Sequence, residues 1–273
     1  MIIVFHMSIT YVSYTHTDYS DIWCLMMEGV EQLSGAERVL FCNRVPEDPK
    51  IMELYNRVIT YDDSLTYPAR IAQCLEHIST EYVMFVHDID VIVSFDMDRF
   101  ADIMNTIVEY ELDRLFFGMV QPCSDMICNN WLVLARAKHS PIFALPYDVG
   151  PSVWKRSVFL EFMEKYSDQT YRTIETSAIQ DDLQNYRCYA FAPCPNYFPI
   201  YHLVRPMTSL FIFMHILASG KWFDPICYMD LQTVFLQKIN SHNINMVTRG
   251  VGNGFHLFHV SRSLEPYHLN SNT

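Results

Sequence analysis

The stretch 82–90 reads YVMFVHDID, an apolar run that stops on Asp88 and Asp90. Such a short apolar run suits a strand buried inside a sheet. Carboxylates are costly to bury without partners, so a strand ending on two of them needs a compensating group. Alternation along a strand sends Asp88 and Asp90 to one face and Ile89 to the other. Like charges that close destabilise each other unless a cation lies between them. Hard divalent ions prefer oxygen ligands, so Mn²⁺ or Mg²⁺ is the expected guest. Ligands of open α/β sheets bind beyond the carboxyl ends of strands, which is where this pair falls. A second acidic pair, Asp96 and Asp98, precedes a helical pattern. There, capping and the helix dipole account for the acids without a ligand.

The elements that must position Asp88 and Asp90 alternate. Ile9–Tyr14 has strand character, and Ile22, Leu25, Met26, Val30 and Leu33 recur at helical spacing over 19–33. Gly35 ends that helix. A strand follows at 39–42, a loop at 46–49, a short helix at 50–55 and a strand at 57–61. Pro68 opens the next helix as a first-turn proline, and Ile71, Leu75 and Ile78 continue it. Beyond Asp90 the pattern loosens. A helix is expected from Asp96 or Asp98 to about Leu112, then a strand over 115–121 and an irregular stretch over 123–151. Helices are expected over 153–166, 176–186, 210–218 and 229–239, with a strand at 188–191. Alternating strands and helices predict an α/β fold with a mostly parallel sheet flanked by helices. No internal repeat or linker interrupts the chain, so a single domain over 1–273 is expected.

Composition narrows the function. The chain has 273 residues, half of them apolar, ample for a sizeable core. Its net charge of −12, with no Lys/Arg cluster, argues against a nucleic-acid partner. An acidic protein that handles phosphates needs a metal to mediate. The eight cysteines form no CxxC pair, against a zinc ribbon. Cys24, Cys42 and Cys74 fall in apolar patterns as reduced core residues. The opening MIIVFHMSITYVSYTH lacks a basic region and a cleavage site, and the longest later apolar stretch, 210–218, is too short to span a bilayer. The expectation is a soluble cytoplasmic chain with no signal peptide or transmembrane segment. The absence of a glycine-rich phosphate loop and of GxGxxG disfavours P-loop and dinucleotide enzymes.

The order strand, helix, strand, helix, strand ending in DxD resembles the nucleotide-binding half of a GT-A fold (Rossmann-like) glycosyltransferase. YVSYTHTDYSDIW is similar to the first strand and nucleoside-holding loop of that family, and ITYDDSLTYPARIAQCLEHISTEYVMFVHDID to the stretch running into its DxD strand. GPSVWKRSVFLEFM resembles its acceptor-side segment. The resemblance implies a nucleotide-binding half over about 1–122 and an acceptor-binding half over about 123–273. It implies metal-dependent transfer of a sugar from a UDP- or GDP-sugar donor to a glycan or other hydroxyl acceptor. The metal, Mn²⁺ or Mg²⁺, would be held by Asp88 and Asp90, with a third ligand from His259 or His256 near the C-terminus. Thr15, His16, Thr17 and Asp18 would read the nucleobase and Tyr19 stack on it. Asp62 and Asp63 would bind ribose hydroxyls, and Arg70 or Arg249 a phosphate. Trp154 would stack on a sugar or belong to the core. In an inverting enzyme Asp181 or Asp182, with Glu175 behind them, would deprotonate the acceptor. The alternatives are a nucleotidyltransferase on a similar scaffold, although THTDYSDIW lacks the basic loop that a triphosphate needs, and a non-catalytic divalent-ion or sugar-binding module.

Overall fold

A computed structural model of the chain describes residues 8–119, 125–128, 132–136, 150–171, 173–174, 179, 182–191, 204–208, 211–218, 220–225, 228 and 231–252. The first third folds as its periodicity predicts. β1 (Ile9–Tyr14) leads through a 3₁₀ turn (Thr17–Ile22) into α1 (Trp23–Val30), β2 (Glu37–Cys42), α2 (Pro49–Leu54), β3 (Arg57–Thr60), α3 (Tyr67–Leu75) and β4 (Tyr82–His87). Local chemistry fixes the helix starts. The Asp48 side chain accepts from the Lys50 N–H, and the Thr66 hydroxyl from the Ala69 N–H, each beside a first-turn proline. β1 pairs in parallel with β2 and β4, and β2 with β3. Every residue of β4 is buried, as its unbroken apolar run requires.

The remainder comprises β5 (Asp90–Phe95), α4 (Met97–Glu109), β6 (Arg114–Met119), β7 (Met126–Cys128), β8 (Val133–Arg136), β9 (Ser152–Lys155), α5 (Arg156–Lys165), β10 (Cys188–Phe191), β11 (Val204–Thr208), β12 (Phe211–His215), β13 (Leu217–Ala218), β14 (Lys221–Trp222) and α6 (Gln232–Ser241). The large sheet has nine strands in the order β3-β2-β1-β4-β9-β6-β10-β8-β7. Only β9 and β8 run against the others. Strand alternation splits the core into two layers. Val12, Phe41, Val83 and Phe85 pack against Ile71 and Leu75 of α3 and Phe159 and Phe162 of α5. Met84, Val86, Leu115 and Phe117 face Phe100, Ile103 and Ile107 of α4. On that second face, Leu40 and Cys42 meet Trp23, Met26 and Val30 of α1.

Beyond Asp88 the chain leaves the large sheet and enters a second one, of three strands in the order β11-β12-β5, all antiparallel. α1 lies directly on β5 through Gly29: a Cβ there would stand 2.9 Å from the Ile92 Cβ and 3.0 Å from its backbone N and O. No other residue permits so close a backbone approach.

Three expectations are corrected. The loosened pattern after Asp90 is in fact β5, whose partner β12 lies far along the chain. Residues 210–218, expected as a helix, contain β12 and β13. A short apolar run does not distinguish a strand from a helix segment, and pairing with β5 decides it. The helix expected over 153–166 begins only at Arg156, because Ser152–Lys155 is inserted between β4 and β6 as an antiparallel strand. Of 176–186, the described residues include a 3₁₀ turn at Leu183–Asn185. No helix among the described residues is long and apolar enough to cross a membrane.

Candidate functional site

Asp88 and Asp90 do not sit on one continuous strand. β4 ends at His87, and the Asp88 N–H extends the parallel ladder by donating to the Tyr14 carbonyl at 3.0 Å. Asp90 then opens β5 in the second sheet. The turn between the sheets therefore carries both acids, and both are buried, at 5% and 2% exposure. Two separate devices hold them. The Thr15 hydroxyl donates to Asp88 Oδ2 at 2.5 Å and accepts from Trp23 Nε1 at 2.7 Å. Thr15 is itself fixed at both backbone groups, its N–H donating to the Phe41 carbonyl at 2.9 Å and its carbonyl accepting from the Tyr61 hydroxyl at 2.7 Å. Asp90 Oδ1 accepts from His215 Nδ1 at 2.9 Å. Burial, reinforced by the charge of Asp90, pushes the Asp88 carboxyl up to about 7, against the Thr15 hydrogen bond and backbone N–H donors that favour its anion.

A polar cluster lies at the carboxyl ends of β1, β2 and β3. His16 Nε2 donates to Asp63 Oδ2 at 3.0 Å while its Nδ1 accepts from the Asp18 N–H at 3.1 Å, which one neutral tautomer satisfies. Asn43 Nδ2 donates to the same Asp63 oxygen and to Thr17 Oγ1, both at 3.1 Å, and Asn43 Oδ1 accepts from the Thr17 N–H at 2.9 Å. Arg70 pairs with Asp63 Oδ1 at 3.3 Å, donates to the Leu65 carbonyl at 2.8 Å and lies over the Tyr61 ring. Desolvation works against the charge of Asp63, but His16, Asn43 and Arg70 together hold its carboxyl below the usual carboxylate range.

The structure thus brings His16, Thr17, Asp63 and Arg70 together and assigns other work to several predicted residues. Thr15 is 1% exposed, so it holds Asp88 instead of meeting a base. Asp62 turns its carboxylate onto the Ser64 N–H and hydroxyl, closing its own loop. Arg249 forks onto Asp21, donates to the Asp18 carbonyl at 2.7 Å and covers the Tyr19 ring, so its guanidinium ties the C-terminal part of the described chain to the loop after β1. Trp154 is core, not sugar platform: it is 1% exposed, stacks on Phe159 at 4.7 Å and lies beneath the Arg114 guanidinium.

Asp182 accepts from Lys165 Nζ at 2.8 Å and the Tyr166 hydroxyl at 3.0 Å, and the Lys165 ammonium holds its carboxyl below the usual range. A carboxylate so stabilised as an anion is a weak proton acceptor. Asp96 caps α4, its Oδ1 accepting from the Arg99 N–H at 2.9 Å, as expected of a capping acid. Asp181, Glu175, His256 and His259 lie outside the described residues.

Two site residues were not anticipated. Asn43 follows β2 at the same sheet edge as His16 and Asp63, so its strand-end position was the available signal. His215 had none, because its register opposite Asp90 exists only once β12 pairs with β5. Among the described residues, no group of three or more His, Cys, Asp or Glu side chains is arranged to hold a metal ion.

No protein-family model and no curated protein sequence matches this chain. Solved structures similar to it include residues 1–349 of TarS from S. aureus in complex with UDP, at 12% identity and a TM-score of 0.45, covering 93% of this chain and 69% of that one. Another is a CMP:2-keto-3-deoxy-manno-octonic acid synthetase complexed with CTP, at 12% identity and a TM-score of 0.43, covering 85% of this chain and 99% of that one. A third is the bifunctional IspDF of Campylobacter jejuni, at 12% identity and a TM-score of 0.38, covering 63% of this chain and 47% of that one.

Proposed function

We propose that this chain is a divalent-metal-dependent glycosyltransferase that moves a sugar from a nucleoside-diphosphate donor to a hydroxyl acceptor. One observation carries the reading: the turn from the central strand β4 into β5 places two carboxylates, Asp88 and Asp90, in a buried corner at the carboxyl edge of the large sheet. The proton affinity of Asp88, raised by burial and by Asp90, is what a nearby cation would relieve. Oxygen donors suit Mn²⁺ or Mg²⁺, and such ions are commonly held by one or two carboxylates plus substrate phosphates and water. Asp88 and Asp90 would therefore hold the ion, with His259 or His256 as a further ligand. When bound, the cation would stabilise the negative charge gained by the departing nucleoside diphosphate.

The chain's own residues supply the rest of the reading. Thr15 and Trp23 hold Asp88 in one orientation before any ligand arrives. Asp63, kept anionic by His16, Asn43 and Arg70, is suited to accept hydrogen bonds from ribose hydroxyls. Tyr19, under the Arg249 guanidinium, would stack on the base. Asp181 is the remaining candidate for the acceptor's base, since Asp182 is neutralised by Lys165.

The test is donor turnover with Mn²⁺ across a panel of UDP- and GDP-sugars, with and without chelator. Release of nucleoside diphosphate from one donor is expected, abolished by chelator and by Asp88→Asn or Asp90→Asn. Full turnover in either variant would sink the assignment. Release of pyrophosphate from a nucleoside triphosphate would replace sugar transfer with nucleotidyl transfer.

A further inference from the structure

We propose that His215 is the positioning residue of the acidic pair: its Nδ1–H fixes the Asp90 carboxylate in the orientation that receives the cation. This inference rests on the reading of Asp88 and Asp90 as metal ligands. The Asp90 side chain is 0% exposed, and its Oδ1 lies 2.9 Å from His215 Nδ1. A carboxylate oxygen accepts, so Nδ1 is the donating nitrogen of this contact.

The imidazole is anchored as a positioning group must be. His215 stands opposite Asp90 in the antiparallel register of β12 and β5. The next residue closes the ladder, the Ile216 N–H donating to the Ile89 carbonyl at 2.8 Å. The Tyr228 hydroxyl donates to the His215 carbonyl at 3.0 Å, and the Phe223 ring packs on the imidazole at 5.6 Å. Backbone, carbonyl and ring face are thus all constrained. The Asp90 side chain is fully buried, so a contact that fixes one of its oxygens also fixes how the carboxylate faces its neighbours. Thr15, the residue after β1, does the equivalent work for Asp88. Asp88 is thus held from the edge of the large sheet and Asp90 from the three-stranded sheet before a cation binds.

The experiment measures Mn²⁺ binding to the whole chain by electron paramagnetic resonance, without donor, for wild type and for His215→Asn, His215→Gln and His215→Ala. Near-ultraviolet circular dichroism checks that each variant is folded. Asn places an amide N–H near the position of Nδ1, whereas Gln places one near Nε2. His215→Ala and His215→Gln are expected to lose roughly 10–100-fold in Mn²⁺ affinity, the usual cost of removing such a supporting contact. His215→Asn is expected to retain most of it. Affinity unchanged in all three variants would overturn the proposal, as would rescue by Gln and not by Asn, which would make Nε2 the acting atom. Wild type that binds no Mn²⁺ would instead remove the metal reading itself, and this inference with it.

Discussion

Asp88→Asn should gain stability relative to wild type in the metal-free protein as pH rises through neutrality, while abolishing its proposed activity. The Asp88 carboxyl stands at about 7 in the folded chain against 3.8 for the unperturbed group. The folded state thus keeps a proton that the unfolded state gives up. With the folded value raised, the associated stability is fully present below about pH 4 and is lost as pH rises towards 7. From pH 5 to the folded value is about two pH units, which at roughly 1.36 kcal/mol each gives about 3 kcal/mol. Asparagine cannot ionise, yet its side-chain oxygen can still accept from Thr15. Urea unfolding in chelator at pH 5 and at pH 8 reads the effect. The stability of Asp88→Asn relative to wild type is expected to rise by about 3 kcal/mol between those two values. Parallel pH profiles for the two proteins would refute the reasoning, since Asp88 would then titrate alike in both states.

Four further outcomes follow from named contacts. Thr15→Val strips the shared hydroxyl from Trp23 and Asp88 and should cost about 2–4 kcal/mol in urea unfolding at pH 8; a loss below about 1 kcal/mol would mean that water or a neighbour replaces it. Gly29→Ala should destabilise by about 1–3 kcal/mol despite alanine's better helix propensity, because the new Cβ meets the Ile92 backbone, and a gain in stability would show that α1 can lift off β5. Asp96→Ala should cost about 1 kcal/mol and Asp96→Asn almost nothing, both with the proposed turnover intact; lost turnover would move the proposed metal site to the second acidic pair. Asp182→Asn should leave turnover unchanged, and a slow variant would restore it as the acceptor's base.

The first third of the chain was legible because its signals are local. Helical spacing of apolar residues, the first-turn proline at Pro68 and the unbroken β4 run each report their element without reference to distant residues. The second acidic pair was legible for the same reason, since an N-cap is a contact three residues long. β9 and β12 were not. Each is four or five residues, and each is a strand only because a remote partner offers it a ladder. Trp154 fell with β9, because insertion of that strand between β4 and β6 is what encloses it.

Sequence alone determined that an α/β sheet ends on a pair of acids, because burial preference and periodicity are properties of the residues themselves. It determined too that those acids require compensation, because a buried charge is costly in any fold. Which groups compensate was decided by tertiary structure. Thr15 and His215 lie 73 and 125 positions from the acids they hold, and neither residue type announces such a partner. Parallel pairing of β1 with β4 brings the first into reach, and antiparallel pairing of β12 with β5 the second. The identity of the carboxylates is written in the chain, but their orientation belongs to the two sheets that meet between them.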